Sequence, residues 1–83
     1  MNPRVKTVKP IVNYRLLVGF ENGEVRIFDV NPYLDKGIFK ELRSMEKFNS
    51  VKVVEGTVQW INEADFCPDT LYMESITANS IEQ

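Results

Sequence analysis

The fold is decided by the stretch YRLLVGFENGEVRIF, residues 14–28. Its first half alternates, so the even-numbered residues from Tyr14 to Phe20 share one face of a strand, and that face is expected to point into the core. Asn22-Gly23 then predicts a two-residue type I′ turn, because both residues tolerate the positive φ that this turn needs. The resulting hairpin would place Phe20 opposite Val25 and Val18 opposite Ile27.

A second hairpin is predicted from the stretch VKVVEGTVQWI, residues 51–61. Segments rich in strand-forming residues flank Glu55-Gly56, which can turn the chain between them. A two-residue loop would place Val53 opposite Val58 and Val51 opposite Trp60. Ahead of both hairpins, the segment Arg4–Lys9 alternates charged or polar with apolar residues and then meets Pro10, which predicts an N-terminal edge strand.

Short helices are predicted between and after the hairpins. Pro32 suits the first position of a helical turn that Gly37 would end. From Ile38 to Phe48 the apolar residues recur every three or four positions, which predicts the main helix, broken near Ser44, with its charged side in solvent. Capping residues around Pro68 predict one more helical turn.

These elements predict an α+β domain. We expect an antiparallel sheet built from two hairpins and an N-terminal edge strand, packed by short helices in the order β-β-β-α-β-β-α. Residues 1–74 are assigned to this single domain, because a chain of 83 residues has room for one modest core. Residues 75–83 are polar without a sustained period, and they are expected to form a C-terminal tail that frays.

Composition narrows the class of protein. The chain is 43% hydrophobic and 27% charged, which is ordinary for a folded globular domain. Ten Lys and Arg against twelve Asp and Glu leave a net charge of −2, and the basic residues are taken as scattered, so no direct nucleic-acid binding is expected. The single cysteine allows no internal disulfide, and no secretory signal or long apolar run occurs, so a cytoplasmic location without membrane contact is expected.

Catalytic chemistry is not predicted. Without histidine the usual Ser–His and Cys–His pairs cannot form, so we expect a protein that is not an enzyme, with no catalytic residue and no cofactor. Cys67, before Pro68, is interpreted as a small buried apolar group. An alternative stays open, a small-molecule- or divalent-metal-binding accessory protein that uses the region of Glu63, Asp65 and Asp69. Helix capping is the competing interpretation of the two aspartates, and no metal ligand is assigned.

The candidate partner-binding residues are Trp60, Asp65 and Tyr72. Trp60 belongs either to the core or to the surface, where a tryptophan would anchor a protein partner, and Tyr72 presents the same choice. The strand Arg4–Lys9 offers another mode of binding, since an unpaired edge can accept a partner's strand. Its cations equally serve to deter such pairing.

Several segments match a known family in their order and spacing. They are Arg4–Pro10, Tyr14–Glu24, Phe28-Asp29, Phe39–Leu42, Phe48, Val58–Trp60 and Asp65–Tyr72. Together, over about residues 4–73, they resemble the small bacterial family known as domain of unknown function 2442. The resemblance implies a compact α+β domain with an antiparallel sheet and short helices.

About function the resemblance implies less. Members of that family sometimes precede a helix-turn-helix DNA-binding domain, and they are often encoded beside another small protein in what look like toxin–antitoxin pairs. This chain ends soon after the shared region, so any DNA role is expected to be indirect, through a partner or oligomer. The leading expectation is a protein-interaction module, the antitoxin-like member of such a pair, whose small protein partner is encoded by the adjacent gene.

The composition of the chain suggests the charge of the partner and a second mode of association. The acidic balance favours a basic partner protein. Homodimerisation is a further option, since a domain with an exposed edge and a modest core is stabilised by pairing.

Overall fold

The computed structural model describes residues 2–78, which form seven strands and several short helices. In chain order the strands and α-helices are β1 (Val5–Ile11), β2 (Arg15–Phe20), β3 (Val25–Asp29), α1 (Met45–Phe48), β4 (Lys52–Val54), β5 (Thr57–Gln59), β6 (Asp65–Phe66), α2 (Pro68–Glu74) and β7 (Ile76–Thr77). Two 3-10 helices, Asn31–Tyr33 and Gly37–Arg43, precede α1.

The strands pair into two antiparallel sheets. The large sheet has the order β1-β2-β3-β7, and the small sheet has the order β4-β5-β6. The predicted α+β class and antiparallel pairing are confirmed, and β1 lies at an edge of the large sheet as expected. The two hairpins lie in different sheets, and Val5 ties these together because its N–H donates to the carbonyl of Gly56 at 2.8 Å.

The first hairpin forms, but its predicted register is wrong by one residue. The loop has three residues, Glu21 to Gly23, and only Gly23 among them has a positive φ, at 91°. The N–H of Phe20 donates to the carbonyl of Glu24 at 2.9 Å, and the Asn22 side chain accepts from the N–H of Glu24 at 3.0 Å. Such a loop is the three-residue alternative to a type I′ turn. The observed pairs are Gly19–Val25, Val18–Arg26, Leu17–Ile27, Leu16–Phe28 and Arg15–Asp29.

The second hairpin has the predicted register. Glu55 and Gly56 both have positive φ, at 50° and 81°, as a two-residue type I′ turn requires. Lys52 therefore pairs with Gln59, Val53 with Val58 and Val54 with Thr57.

The predicted helix from Ile38 to Phe48 is two shorter helices. A 3-10 helix ends at Arg43, and α1 begins after Ser44, whose hydroxyl accepts from the N–H of Lys47, so the predicted break is confirmed. A 3-10 helix turns every three residues, and the break resets the phase. Leu42 and Phe48 are consequently buried, whereas Ile38 and Met45 of the expected apolar face are exposed.

One core lies between the two sheets and the helices. Its residues come from every part of the fold, and the fully buried large side chains are Leu16, Val18, Phe28, Val30, Leu42, Phe48, Val58, Trp60 and Leu71. Phe66 contacts several aromatic rings there, with a ring-centroid distance of 4.8 Å to both Phe28 and Phe39. The even-numbered face of β2 points into this core, as predicted.

The predicted boundary after Glu74 is not where order ends. Ser75 is only 4% exposed, and Ile76 and Thr77 pair with Ile27 and Arg26 of β3. Residues 75–77 therefore belong to the folded unit, although the chain becomes polar there. Residues 79–83 of the predicted tail lie outside the described residues.

Candidate interaction surface

Trp60 lies in the core. Its side chain is 1% exposed, and the indole N–H donates to the carbonyl of Phe48 at 2.9 Å. The core interpretation of Trp60 is therefore the one that the structure shows, and a partner of the folded protein has no access to the indole. Trp60 is therefore not a partner-binding residue of the folded protein, and its prediction as one is wrong.

Tyr72 is half-buried in a polar cluster at the start of β3. Its hydroxyl donates to the carboxylate of Glu24, and its ring packs edge-on against Phe20 at 5.2 Å between centroids. The guanidinium of Arg26 lies 4.6 Å from the centre of the Tyr72 ring, a cation–π contact. The same guanidinium donates to the hydroxyl and carbonyl of Ser75, each at 2.7 Å.

The cluster perturbs two titrations. The hydrogen bond from Tyr72 is the largest cause of the lowered pKa of Glu24. Hydrogen bonds from Asn22 and Arg26 lower this pKa further, whereas burial raises it. The bond from Tyr72 to Glu24 also raises the pKa of Tyr72, because an ionised phenol could not donate to the carboxylate. Since each polar group here already has a partner, the arrangement joins α2 and β7 to the first hairpin.

The three carboxylates proposed as an alternative binding region are exposed and lie on different elements. Asp65 is in β6, Glu63 is in the preceding loop, and Asp69 is in the first turn of α2, where it accepts from Asn2 at 3.2 Å. Asp65 does not cap a helix, because the residue at the N-cap of α2 is Cys67. Over residues 2–78, no group of three potential metal ligands lies together.

Cys67 is exposed, so its interpretation as a buried apolar group is wrong. Placement at the N-cap of α2, directly before Pro68, keeps its side chain at the surface. Within residues 2–78, no helix has both the length and the apolar character to cross a membrane.

The largest change to the predicted surface comes from the hairpin register. Directly opposed residues of antiparallel strands point to the same face. The observed pairs therefore form a row across the large sheet on the side away from the core, which we call the outer face. The row is Lys9, Leu17, Ile27 and Ile76, and beside it lie a row of Thr7, Gly19 and Val25 and a row of Ile11, Arg15 and Asp29.

The outer face is apolar at its centre. Leu17 is half-buried and Ile27 is only 8% exposed, although neither belongs to the core cluster. The exposed apolar residues beside them are Val25 and Ile76, each 47% exposed. An open cleft of about 340 Å³ is lined by Gly23, Glu24, Val25, Thr77 and Ala78, of which Val25 belongs to the outer face. Sequence reasoning missed this surface because its register placed Ile27 opposite Val18, on the core side. The three-residue loop was the missing signal.

Charge is unevenly distributed along the chain, so the prediction that basic residues are scattered is wrong. The first 20 residues contain four basic residues and no acidic residue, whereas residues 53–83 contain six acidic residues and no basic residue. The basic set is Arg4, Lys6, Lys9 and Arg15, all in or beside β1 and β2. The net charge of −2 therefore conceals a cationic hairpin.

Comparison with known proteins finds a family but no individual relative. The model of the family described as "Protein of unknown function (DUF2442)" matches residues 5–77. No curated protein and no solved structure matches this chain. This is the family that the chain resembles over about residues 4–73, and the matched residues cover nearly the same part of the chain.

Proposed function

Because the chain belongs to the family of proteins of unknown function DUF2442, whose description names no activity, we propose its function from its surface. The protein is a non-enzymatic protein-interaction module that binds a small protein partner through the outer face. One observation carries this proposal: on the side of the large sheet away from the core, the exposed Val25 and Ile76 and the half-buried Leu17 lie around Ile27 in one apolar patch. Contiguous exposed apolar patches commonly mark protein-binding sites.

The polar cluster supports a structural role more than a catalytic one. Arg26 has its donors occupied by Ser75 and Glu24, and Glu24 in turn accepts from Tyr72 and Asn22. A general acid or base needs a polar atom free to meet a substrate. We therefore assign these residues to holding β7 in the large sheet and α2 on the core side of that sheet.

The partner that we propose is the product of the adjacent gene, with this chain as the antitoxin-like member of the pair. Asp65 and Tyr72 lie outside the apolar patch, so they are not required for this contact. The metal- or ligand-binding alternative gains no support from the separated positions of Glu63, Asp65 and Asp69.

Co-expression with the adjacent gene product tests the proposal. We expect one co-eluting complex in size-exclusion chromatography and rescue of growth if the partner is toxic. The variant Ile76→Lys should abolish co-elution, because it places a charge in the apolar patch. Its matched control is Ile61→Lys, since Ile61 is 72% exposed in the loop after β5, away from the outer face. Separate elution of the two unmodified proteins would refute the proposal.

A further inference from the structure

The size of the outer face restricts what can cover it. Strands lie about 4.8 Å apart and alternate residues about 6.8 Å apart. The central row crosses four strands and each row beside it crosses three, so the face spans at most roughly 19 Å by 20 Å. A stable homodimer buries about 800 Å² on each partner, roughly twice this footprint. An α-helix with its side chains is about 10 Å across, so one helix fits the face with a margin on either side.

The basic residues of the outer face lie along one of its margins. On the side of β1 and β2, Lys9 lies in the same row as Leu17, and Arg15 lies in the next row. Lys6, at the bulge of β1, is also exposed. One carboxylate, Asp29, belongs to the face, and it accepts from the backbone N–H and side-chain amide of Asn31 at 3.0 and 2.7 Å.

We propose that the outer face binds a single amphipathic helix of the partner protein that carries carboxylates along one flank. Its apolar side lies on Leu17, Val25 and Ile76, and its carboxylates lie over Lys9 and Arg15. This inference rests on the proposed function and adds the chemistry of the partner. It reverses the basic partner expected from net charge, because a contact responds to nearby charges and not to the sum over the chain.

Two synthetic helical peptides provide the test. Both are 18 residues long with the same leucine and isoleucine face, and one carries glutamates on its flanks where the other carries lysines. Each is titrated into the full-length ¹⁵N-labelled protein. We expect the glutamate peptide to shift the amide signals of Leu17, Val25, Ile27 and Ile76 and to bind roughly five times more tightly than the lysine peptide at low salt. That preference should shrink in 0.5 M NaCl, where exposed charges are screened.

Charge-reversal variants make the test specific. Lys9→Glu combined with Arg15→Glu should reverse the preference between the peptides, whereas Lys40→Glu, an exposed residue on the 3-10 helix Gly37–Arg43, should leave it unchanged. The amide spectrum of each variant shows whether the fold is intact. Ile76→Thr, a conservative change for an edge strand, should weaken both peptides, and Ile61→Thr should weaken neither.

Several outcomes would overturn the inference. Equal binding of the two peptides would remove the charge preference while leaving the apolar face, and hence the proposed function, in place. Shifts confined to other residues, or none from either peptide, would remove the helix site, and the co-elution experiment then judges the proposed function separately. Concentration-dependent shifts of the same amides without peptide would identify a second copy as the occupant. If phosphatidylglycerol vesicles, titrated in place of the peptides, bound more tightly than either peptide, the occupant would be a lipid surface.

Discussion

Trp60 joins parts of the chain that are distant in sequence. Its indole donates to the carbonyl of Phe48, and its ring packs edge-on to Phe66 with 5.8 Å between centroids. Its backbone N–H also donates to the carbonyl of Ala64 at 2.9 Å. The residue therefore satisfies buried polar groups while contributing one of the largest buried side chains, as buried tryptophans usually do.

We predict that Trp60→Phe lowers the free energy of unfolding by about 2–4 kcal/mol. The variant leaves the carbonyl of Phe48 without its partner and opens a space that the smaller ring does not fill. Urea unfolding followed by circular dichroism measures the effect. The control Ile61→Ala, at the exposed neighbouring residue, should change stability by no more than about 0.5 kcal/mol. A loss below about 1 kcal/mol for Trp60→Phe would contradict this account of the core.

We predict that Tyr72→Phe raises the pKa of Glu24 towards its ordinary value of 4.5. In the native protein this pKa is lowered, so the stabilisation from Glu24 is fully present above pH 4.5 and is lost as the pH falls through the lowered value. A carboxyl titration by NMR measures the change. Tyr33→Phe is the matched control, because the Tyr33 hydroxyl donates to Glu74 instead. An unchanged Glu24 titration in Tyr72→Phe would show that the phenol is not the main cause.

At the scale of elements, the two hairpins show what local sequence can predict. Glu55-Gly56 forms the two-residue turn that its sequence favours, and the register follows. Asn22-Gly23 favours the same turn, yet Asn22 instead accepts from the N–H of Glu24 and only Gly23 takes positive φ. The observed register pairs Phe28 with Leu16 on the core side, where Phe28 is buried, so the three-residue loop is accompanied by a tertiary contact that the predicted register would lack.

We predict that Gly56→Ala destabilises the protein more than Gly23→Ala does. Both glycines have positive φ, which costs an alanine about 1–2 kcal/mol. A Cβ at Gly23 would meet open space, whereas one at Gly56 would collide with the flexible guanidinium of Arg4 and displace it from the carbonyl of Glu55, to which it donates. In an Arg4→Ala background the excess cost at Gly56 should disappear, as a double-mutant cycle of unfolding free energies would show. Equal costs in both backgrounds would exclude the collision.

At the scale of the whole molecule, β7 completes the large sheet. It pairs with β3 through Ile27 and Arg26, and Ser75 before it binds the guanidinium of Arg26. Ile27 is 8% exposed in this arrangement. The folded unit therefore extends past residue 74, where the composition of the chain turns polar.

We predict that a chain ending at Glu74 is less stable than one ending at Ala78 by about 2–4 kcal/mol. The shorter chain exposes Ile27 and leaves Arg26 without the hydroxyl and carbonyl of Ser75. The midpoints and slopes of urea unfolding for the two chains give the difference, which isolates residues 75–78. Equal stabilities would mean that β7 contributes nothing to the fold.

Local signals were enough for the α+β class, the second hairpin, the break at Ser44 and the inward face of β2. Each of these depends on residues close in sequence, whose turn geometry, capping and alternation act over a few positions. The burial of Trp60 was one of two alternatives that local sequence left open, since an apolar strand end fits either a core or a binding surface.

Only the tertiary structure decided which sheet each hairpin joins, the register of the first hairpin and the place of Ile76 beside Ile27. These features pair residues far apart in the chain, and their free energies come from burial that no short segment can report. The outer face is the clearest case: its residues are visible in the sequence, but a one-residue change of register determines whether Ile27 lies on the core side or the outer side of the sheet.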